Sequence, residues 1–277
     1  MRGATIHLKI MGSGSGIPTM DHWGSSAALI CNGSTYLFDI GGPVGTMALT
    51  DEVARFYGAE RTEGQIRRDR ERYLDIYSIP AIFISHLHAD HLSGLPMFIQ
   101  TASLWQKRDE AYRFPNGNRL EVFMPKMGVS IMREYLELIG LGQPRYDLCI
   151  TPIEEGNLYR DSNITISAQH NSHRLGSSFS FSARGQGRRI LYTGDIALKD
   201  ITGTPLLSRP LDLLVVECAH FTPGDLFDVL RGKPIKKIVI SHISPGLYGK
   251  VEEIQQIGRE MFGESVIVAR DAMEVEI

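Results

Sequence analysis

Three of the nine histidines fall within six residues, in the run His86-Leu87-His88-Ala89-Asp90-His91. Imidazole is the commonest protein ligand for metals, and a carboxylate in the same cluster can bind metal or orient a metal-bound water. A lone histidine at a strand end is ordinarily a satisfied structural residue, whereas this density on one short segment reads as a metal site. One segment cannot complete the shells of two ions, because zinc takes about four or five ligands and neighbours on one loop cannot all reach the same ion. Further His and Asp ligands are therefore expected at other strand ends along one rim of the fold. Three places fit. Arg189–Thr193 ends in Gly194-Asp195, Lys237–Ser241 ends in His242, and Ile164–Ala168 runs into Gln169-His170-Asn171-Ser172-His173, where either histidine would serve. Taken singly, Asp195 could be a turn carboxylate and His242 a cap; with the cluster, they read as ligands.

The elements that must hold these residues are legible as apolar runs. Residues 4–11 read as a strand, and the Gly12–Pro18 stretch after it is a glycine-rich loop, not a nucleotide-binding turn, because GxGxG lacks the GxGxxG spacing. The loop's position places His22 and Trp23 at the pocket mouth. Ser25–Cys31 and Ser34–Ile40 flank Asn32-Gly33, the pair that best tolerates a type I′ turn, which predicts a hairpin. Strands are expected at Ala81–Ser85, Leu120–Met124, Ile164–Ala168, Phe179–Ala183, Arg189–Thr193, Leu213–Glu217, Lys237–Ser241 and Val266–Ala269. Helices are expected at Leu92–Lys107, Val129–Ile139, Asp225–Leu230 and Val251–Phe262, with a charged helical insert over 46–78. Mixed charge with Tyr73 and Tyr77 in that insert suits a homodimer contact or a lid equally. Early hairpins followed by strand–helix alternation predict two sheets with helices outside them.

The chain has 277 residues, of which 43% are hydrophobic and 22% charged, as expected of one globular domain spanning 1–277. Its net charge of -3 supplies no whole-molecule field for a polyanion, although a local patch is compatible with it. Cys31, Cys149 and Cys218 are odd in number and have no CxxC spacing, which suits a reducing compartment. No signal-peptide pattern and no run of 18 apolar residues is present, so a soluble cytoplasmic protein without membrane association is expected.

The His-x-His-x-Asp-His block, the later lone His, the Gly-Asp after a strand and the final His after a strand resemble the metallo-β-lactamase superfamily. Phe38-Asp39-Ile40-Gly41-Gly42 and His91-Leu92-Ser93-Gly94-Leu95 are also similar to it. The resemblance covers almost the whole chain and implies an α/β fold, a four-layered αβ/βα sandwich with metals at one rim. It implies that His86, His88 and His173 hold one divalent ion, that Asp90, His91 and His242 hold a second, and that Asp195 bridges them. His173 is taken over His170 because Ser178-Phe179 follows it, as in similar members. Zinc suits the histidine-rich shell, with manganese or iron as alternatives. A water between two such ions deprotonates near neutral pH, with Asp90 orienting it.

Within the superfamily, the Gly-Ser-Gly opening, Leu120–Pro125 and His242-Ile243-Ser244 resemble the ribonuclease Z and phosphodiesterase branch, which implies a phosphodiester substrate. Two departures argue against transfer-RNA 3′-end processing. Only twenty residues separate His173 from Gly194, too few for the tRNA-gripping arm of that family. Its His-Ser-Thr general-acid element is also absent between Glu217 and His242, where His220 is the nearest candidate acid, and equally a capping residue. A small or modest phosphodiester is therefore the leading substrate, with RNA not favoured. A lactone or thioester hydrolase, and a non-hydrolytic redox or metal-binding protein, are the other classes.

Overall fold

The computed structural model describes residues 6–42, 62–64, 73–173, 177–203 and 205–277. Among these, one sheet contains β1 (Ile6–Gly12), β2 (Ser26–Cys31), β3 (Ser34–Phe38), β4 (Ala81–Phe83), β5 (Arg119–Met124), β6 (Asp147–Pro152) and, from the chain's end, β14 (Glu274–Glu276). The other contains β7 (Gly156–Arg160), β8 (Thr165–Asn171), β9 (Ser178–Gly185), β10 (Arg188–Tyr192), β11 (Leu213–Cys218), β12 (Ile238–Ile243) and β13 (Val266–Val268). Their orders are β14-β1-β2-β3-β4-β5-β6 and β13-β12-β11-β10-β9-β8-β7. Each is half antiparallel and half parallel: pairing turns parallel from β3 to β6 in the first and from β10 to β13 in the second. The Asn32-Gly33 turn joins β2 to β3 with φ of 49° and 81°, the left-handed pair that a type I′ turn requires.

The helices among the described residues include α1 (Ala89–Leu92), α2 (Leu95–Arg108), α3 (Lys126–Leu138), α4 (Leu198–Gly203), α5 (Pro223–Leu230) and α6 (Val251–Phe262). Strand alternation shows why they lie outside. Ala81 and Phe83 of β4 face the other sheet, while Ile82 packs with Leu95, Phe98 and Ile99 of α2. In β11, Leu213 and Val215 face inward, and Leu214 and Val216 pack with Leu226 and Phe227 of α5. Both faces of the central strands are buried, so they read as unbroken apolar runs. Between the sheets, the ring of Phe83 lies 5.5 Å from Phe38, 5.3 Å from Phe123 and 5.7 Å from Phe181. Each such buried ring contributes about 1.5–3 kcal/mol of transfer free energy. The result is the expected αβ/βα sandwich.

Three strands were not expected: β6, β7 and β14. All are edge strands, carrying Asp147, Asn157, Arg160, Glu274 and Glu276, and polar edges lack the apolar run that marks a central strand. The helix expected from Leu92 is broken into α1 and α2 at Ser93-Gly94. Of the 46–78 insert, only 62–64 and 73–78 are described, ending in a 3₁₀ turn over Ile76–Ser78; the rest lies outside the described residues. Among the described residues, no helix is long and apolar enough to cross a membrane.

Candidate metal centre

Strand β4 sits mid-sheet between β3 and β5, and the His86–His91 segment leaves its carboxyl end. Asp39, just past β3, holds that segment in place. Its Oδ1 accepts the Ser85 backbone N–H at 2.6 Å, and its Oδ2 accepts the Ser85 hydroxyl at 2.7 Å and the Tyr192 hydroxyl at 2.8 Å. His91 donates Nδ1–H to the same Oδ2 at 2.7 Å, which turns Nε2 toward the site and fixes the tautomer. The backbone comes close here: a Cβ on Gly41 would lie 1.6 Å from the Asp90 carbonyl oxygen, so only glycine fits.

Asp195 arrives from the second sheet, after Gly194 at φ 56°, where a Cβ would lie 2.7 Å from Ser85 Cβ. Asn171 Nδ2 and the Ser178 hydroxyl both donate to its backbone carbonyl, at 3.3 and 2.9 Å. His242 comes from β12 at φ 47°, beside the register shift at Glu217/Cys218. A non-glycine residue held left-handed in a buried strand is costly and tends to mark a functional site.

These elements bring all seven expected metal-site residues together. Asp195 Oδ2 faces Nε2 of His86 at 3.4 Å and of His173 at 3.5 Å, while Oδ1 faces Nε2 of His91 and of His242, each at 3.2 Å. Asp90 Oδ2 lies 3.8 Å from His91 Nε2 and 4.0 Å from His242 Nε2. Three groups that could each hold a metal result: His86/His88/His173/Asp195, Asp90/His91/His242, and Asp195/Glu217/His220/His242, which shares a residue with each of the others. His170 stays outside them, exposed and edge-on to Phe179. His22 is also elsewhere, stacked on Tyr248 at 4.2 Å and bonded to the Ser13 hydroxyl; it does not line the site's cleft, contrary to the position expected from its loop.

Two features fit these residues to divalent cations. His91 Nε2 and Asp195 Oδ1 are buried, aimed into the site, and without a hydrogen-bond partner, which is costly unless something else satisfies them. The electrostatics agree for His86, His242 and Asp195. Burial, helped by the neighbouring His91, drives His86 down to about 2, and burial drives His242 down to about 4, so both present neutral imidazoles. Burial works against ionising Asp195, but the charge on His91 outweighs it and holds the carboxyl well below its usual range. His91 differs: burial works against its charge, but Asp195 and Asp39 raise its pKa well above the ordinary value, so it must release a proton to act as a ligand.

His220 lies beside the first group, with Nδ1 donating to Glu217 Oε2 at 2.7 Å. Glu217 is buried and also accepts the backbone N–H groups of Ile196, Ala219 and His220. The hydrogen bond to Glu217 raises the His220 imidazolium's pKa against the opposing effect of burial. Sequence reasoning assigned no role to Glu217 or Asp39. The signal was available, since each is an acid ending an apolar run, as Asp195 follows one. The cleft that opens between His88, His173 and His220 has a volume of about 590 Å³.

A family model described as the beta-lactamase superfamily domain matches residues 53–261. The ribonuclease Z of Methanosarcina acetivorans is 23% identical over 333 aligned positions, covering 98% of each chain. Among solved structures, the metallo-beta-lactamase fold protein YhfI from Bacillus subtilis superposes with a TM-score of 0.73 at 13% identity, covering 99% of this chain and 100% of that one. The short form of human tRNase Z gives a TM-score of 0.65 at 19% identity, covering 97% and 98%.

Proposed function

Since the chain belongs to the beta-lactamase superfamily and is a metal-dependent hydrolase of phosphodiesterase type, we propose that it cleaves a small or modest phosphodiester with two divalent ions, zinc by the softness of its imidazole donors. The observation that carries this reading is the division of Asp195, whose two oxygens face separate sets of imidazoles. His86, His88 and His173 with Oδ2 would hold one ion, and Asp90, His91 and His242 with Oδ1 the other. Bound there, such ions lower the pKa of water from 15.7 to about 7 and polarise a phosphoryl oxygen. Asp90 accepts a hydrogen bond from the attacking water and fixes its direction. His220, kept protonated by Glu217, donates its Nε2 proton to the leaving oxygen. Cys31, Cys149 and Cys218 are all free thiols, which fits the reducing cytoplasm.

A second reading, transfer-RNA 3′-end processing, is favoured by the name of the Methanosarcina relative. Against it, β9 and β10 take up most of the chain between His173 and Gly194. The alignment to that relative is also longer than this 277-residue chain, so the relative carries segments without a counterpart here.

The test is elemental analysis of protein purified without chelators, with hydrolysis of bis(p-nitrophenyl) phosphate and of a precursor tRNA measured side by side. Near two metals per chain, turnover of the small diester, and loss of both in Asp195→Ala and His242→Ala are expected. No bound metal after zinc or manganese supplementation would overturn the metal assignment, and efficient tRNA cleavage would favour the second reading.

A further inference from the structure

The cleft beside the histidines has a composition of its own. Its floor is His88, His173 and His220, and its walls are Ile196, Leu198 and Phe221 with Ala197 and Ser172; among the described residues, no Lys, Arg, Asp or Glu lines it. A polynucleotide held through successive phosphates needs a cation near each of them. Among the described residues, the lining beyond the histidines is apolar except for Ser172, whose backbone N–H and hydroxyl both donate to Asp200. A volume of about 590 Å³ falls within the range of sites that enclose one small organic group.

Both walls are anchored to the machinery. The backbone N–H of Ile196 donates to Glu217 Oε1 at 2.7 Å, and Phe221 directly follows His220, whose Nδ1 bonds Oε2 of the same Glu217. Phe221 packs on the core cluster of Leu226 and Phe227, so its ring is supported rather than loose. A flat group attached to phosphorus at the histidines would therefore meet a preformed apolar face.

We propose that this cleft binds one flat aromatic or heteroaromatic group, of aryl or nucleobase kind, carried on a single phosphodiester, with Phe221 as its main contact. The inference rests on the phosphodiester reading. Two diesters that break the same bond separate them: methyl p-nitrophenyl phosphate and bis(p-nitrophenyl) phosphate release the same leaving group and differ in the group retained. KM for the bis-aryl diester is expected to be about tenfold lower, in line with the alanine-truncation cost of a stacked base. In parallel, calorimetry on the metal-loaded protein compares phenylphosphonate with methylphosphonate, and the phenyl compound is expected to bind about tenfold more tightly. Phe221→Ala should bring both ratios to about one, and Phe221→Tyr should restore them. Leu198→Gln is the second variant should Phe221→Ala fail to fold. Turnover of both diesters with equal KM and equal phosphonate affinities would overturn the cleft assignment and leave the phosphodiester reading standing. Phenyl selectivity in binding without turnover of either diester would overturn the phosphodiester reading and leave the aromatic cleft standing. A KM that keeps falling with oligonucleotide length would overturn the single-group assignment.

Discussion

His91 Nδ1 lies 2.7 Å from Asp39 Oδ2, and both side chains are fully buried. The carboxylate that aims this imidazole also receives the Ser85 hydroxyl, the Ser85 backbone N–H and the Tyr192 hydroxyl, so one group ties both sheets to the histidine segment. Asp39→Asn keeps the volume and tolerates the φ of 57°, since Asn is at home in left-handed backbone. Its amide, however, points N–H at a donor where the carboxylate accepted. Metal affinity is expected to fall about 10- to 100-fold, the usual cost of losing such support. Competition with a chromophoric chelator measures this, and unchanged affinity would show that His91 does not depend on Asp39.

Glu217 and His220 form the second pairing of this kind, and their contribution should depend on the leaving group. A poor alkoxide leaving group needs a proton as the bond breaks, whereas p-nitrophenolate does not. His220→Ala is expected to lower kcat about 10²- to 10⁴-fold for an alkyl diester and much less for the p-nitrophenyl one. Glu217→Gln should show the same pattern more weakly, because the amide still supplies an acceptor oxygen for Nδ1–H. Equal losses on both substrates would assign the pair a structural role.

The residues most legible in the sequence were those whose chemistry and placement coincide. His86, His88, Asp90 and His91 follow an apolar run, as do Asp195 and His242, and the sandwich brings those strand ends to one rim. The choice of His173 over His170 was not legible from spacing. It depends on which side chain leaves β8 toward Asp195, and that is set by pleat and by the turn after Asn171, not by residue type. The edge strand β14 was hidden because its pairing with β1 joins residues nearly a whole chain apart. Asp39 and Glu217 were hidden for a different reason: a supporting carboxylate looks like any strand-end acid until its hydrogen-bond partners are known.

Gly41 makes a prediction about backbone alone. Any Cβ there would sit 1.6 Å from the Asp90 carbonyl oxygen, so Gly41→Ala must push the Asp90-His91 turn away from β3. The Ile40 backbone N–H, which donates to the His91 carbonyl at 2.8 Å, would be pulled apart with it. A loss of about 3 kcal/mol or more is expected, typical of strain forced into a buried site. Metal content should fall as well, because Asp90 and His91 move together. Urea unfolding with elemental analysis checks both, and a variant with wild-type stability would mean that the turn shifts freely.

At the opposite ends of the parallel strands, Asp212 binds three of them into one unit. Its Oδ1 accepts from Arg188 at 3.1 Å and Lys236 at 2.8 Å, and its Oδ2 accepts the Arg189 backbone N–H at 2.9 Å. Partial burial opposes ionisation, but the Lys236 bond, the Arg189 N–H and the Arg188 bond outweigh it and hold the carboxyl below its ordinary value. The folded pKa thus lies under the unfolded value of about 3.9, so the stabilisation is fully present above about pH 4 and disappears as pH falls through the folded pKa. Both cations are largely solvated, which limits each ion pair to about 0–1 kcal/mol. Asp212→Asn is therefore expected to lose about 1–2 kcal/mol near neutral pH, most of it from the hydrogen bonds. The gap to wild type should narrow steadily below about pH 4, where wild-type Asp212 also becomes neutral. Urea unfolding of both proteins across that range decides it, and a gap independent of pH would mean that Asp212 acts through its shape alone.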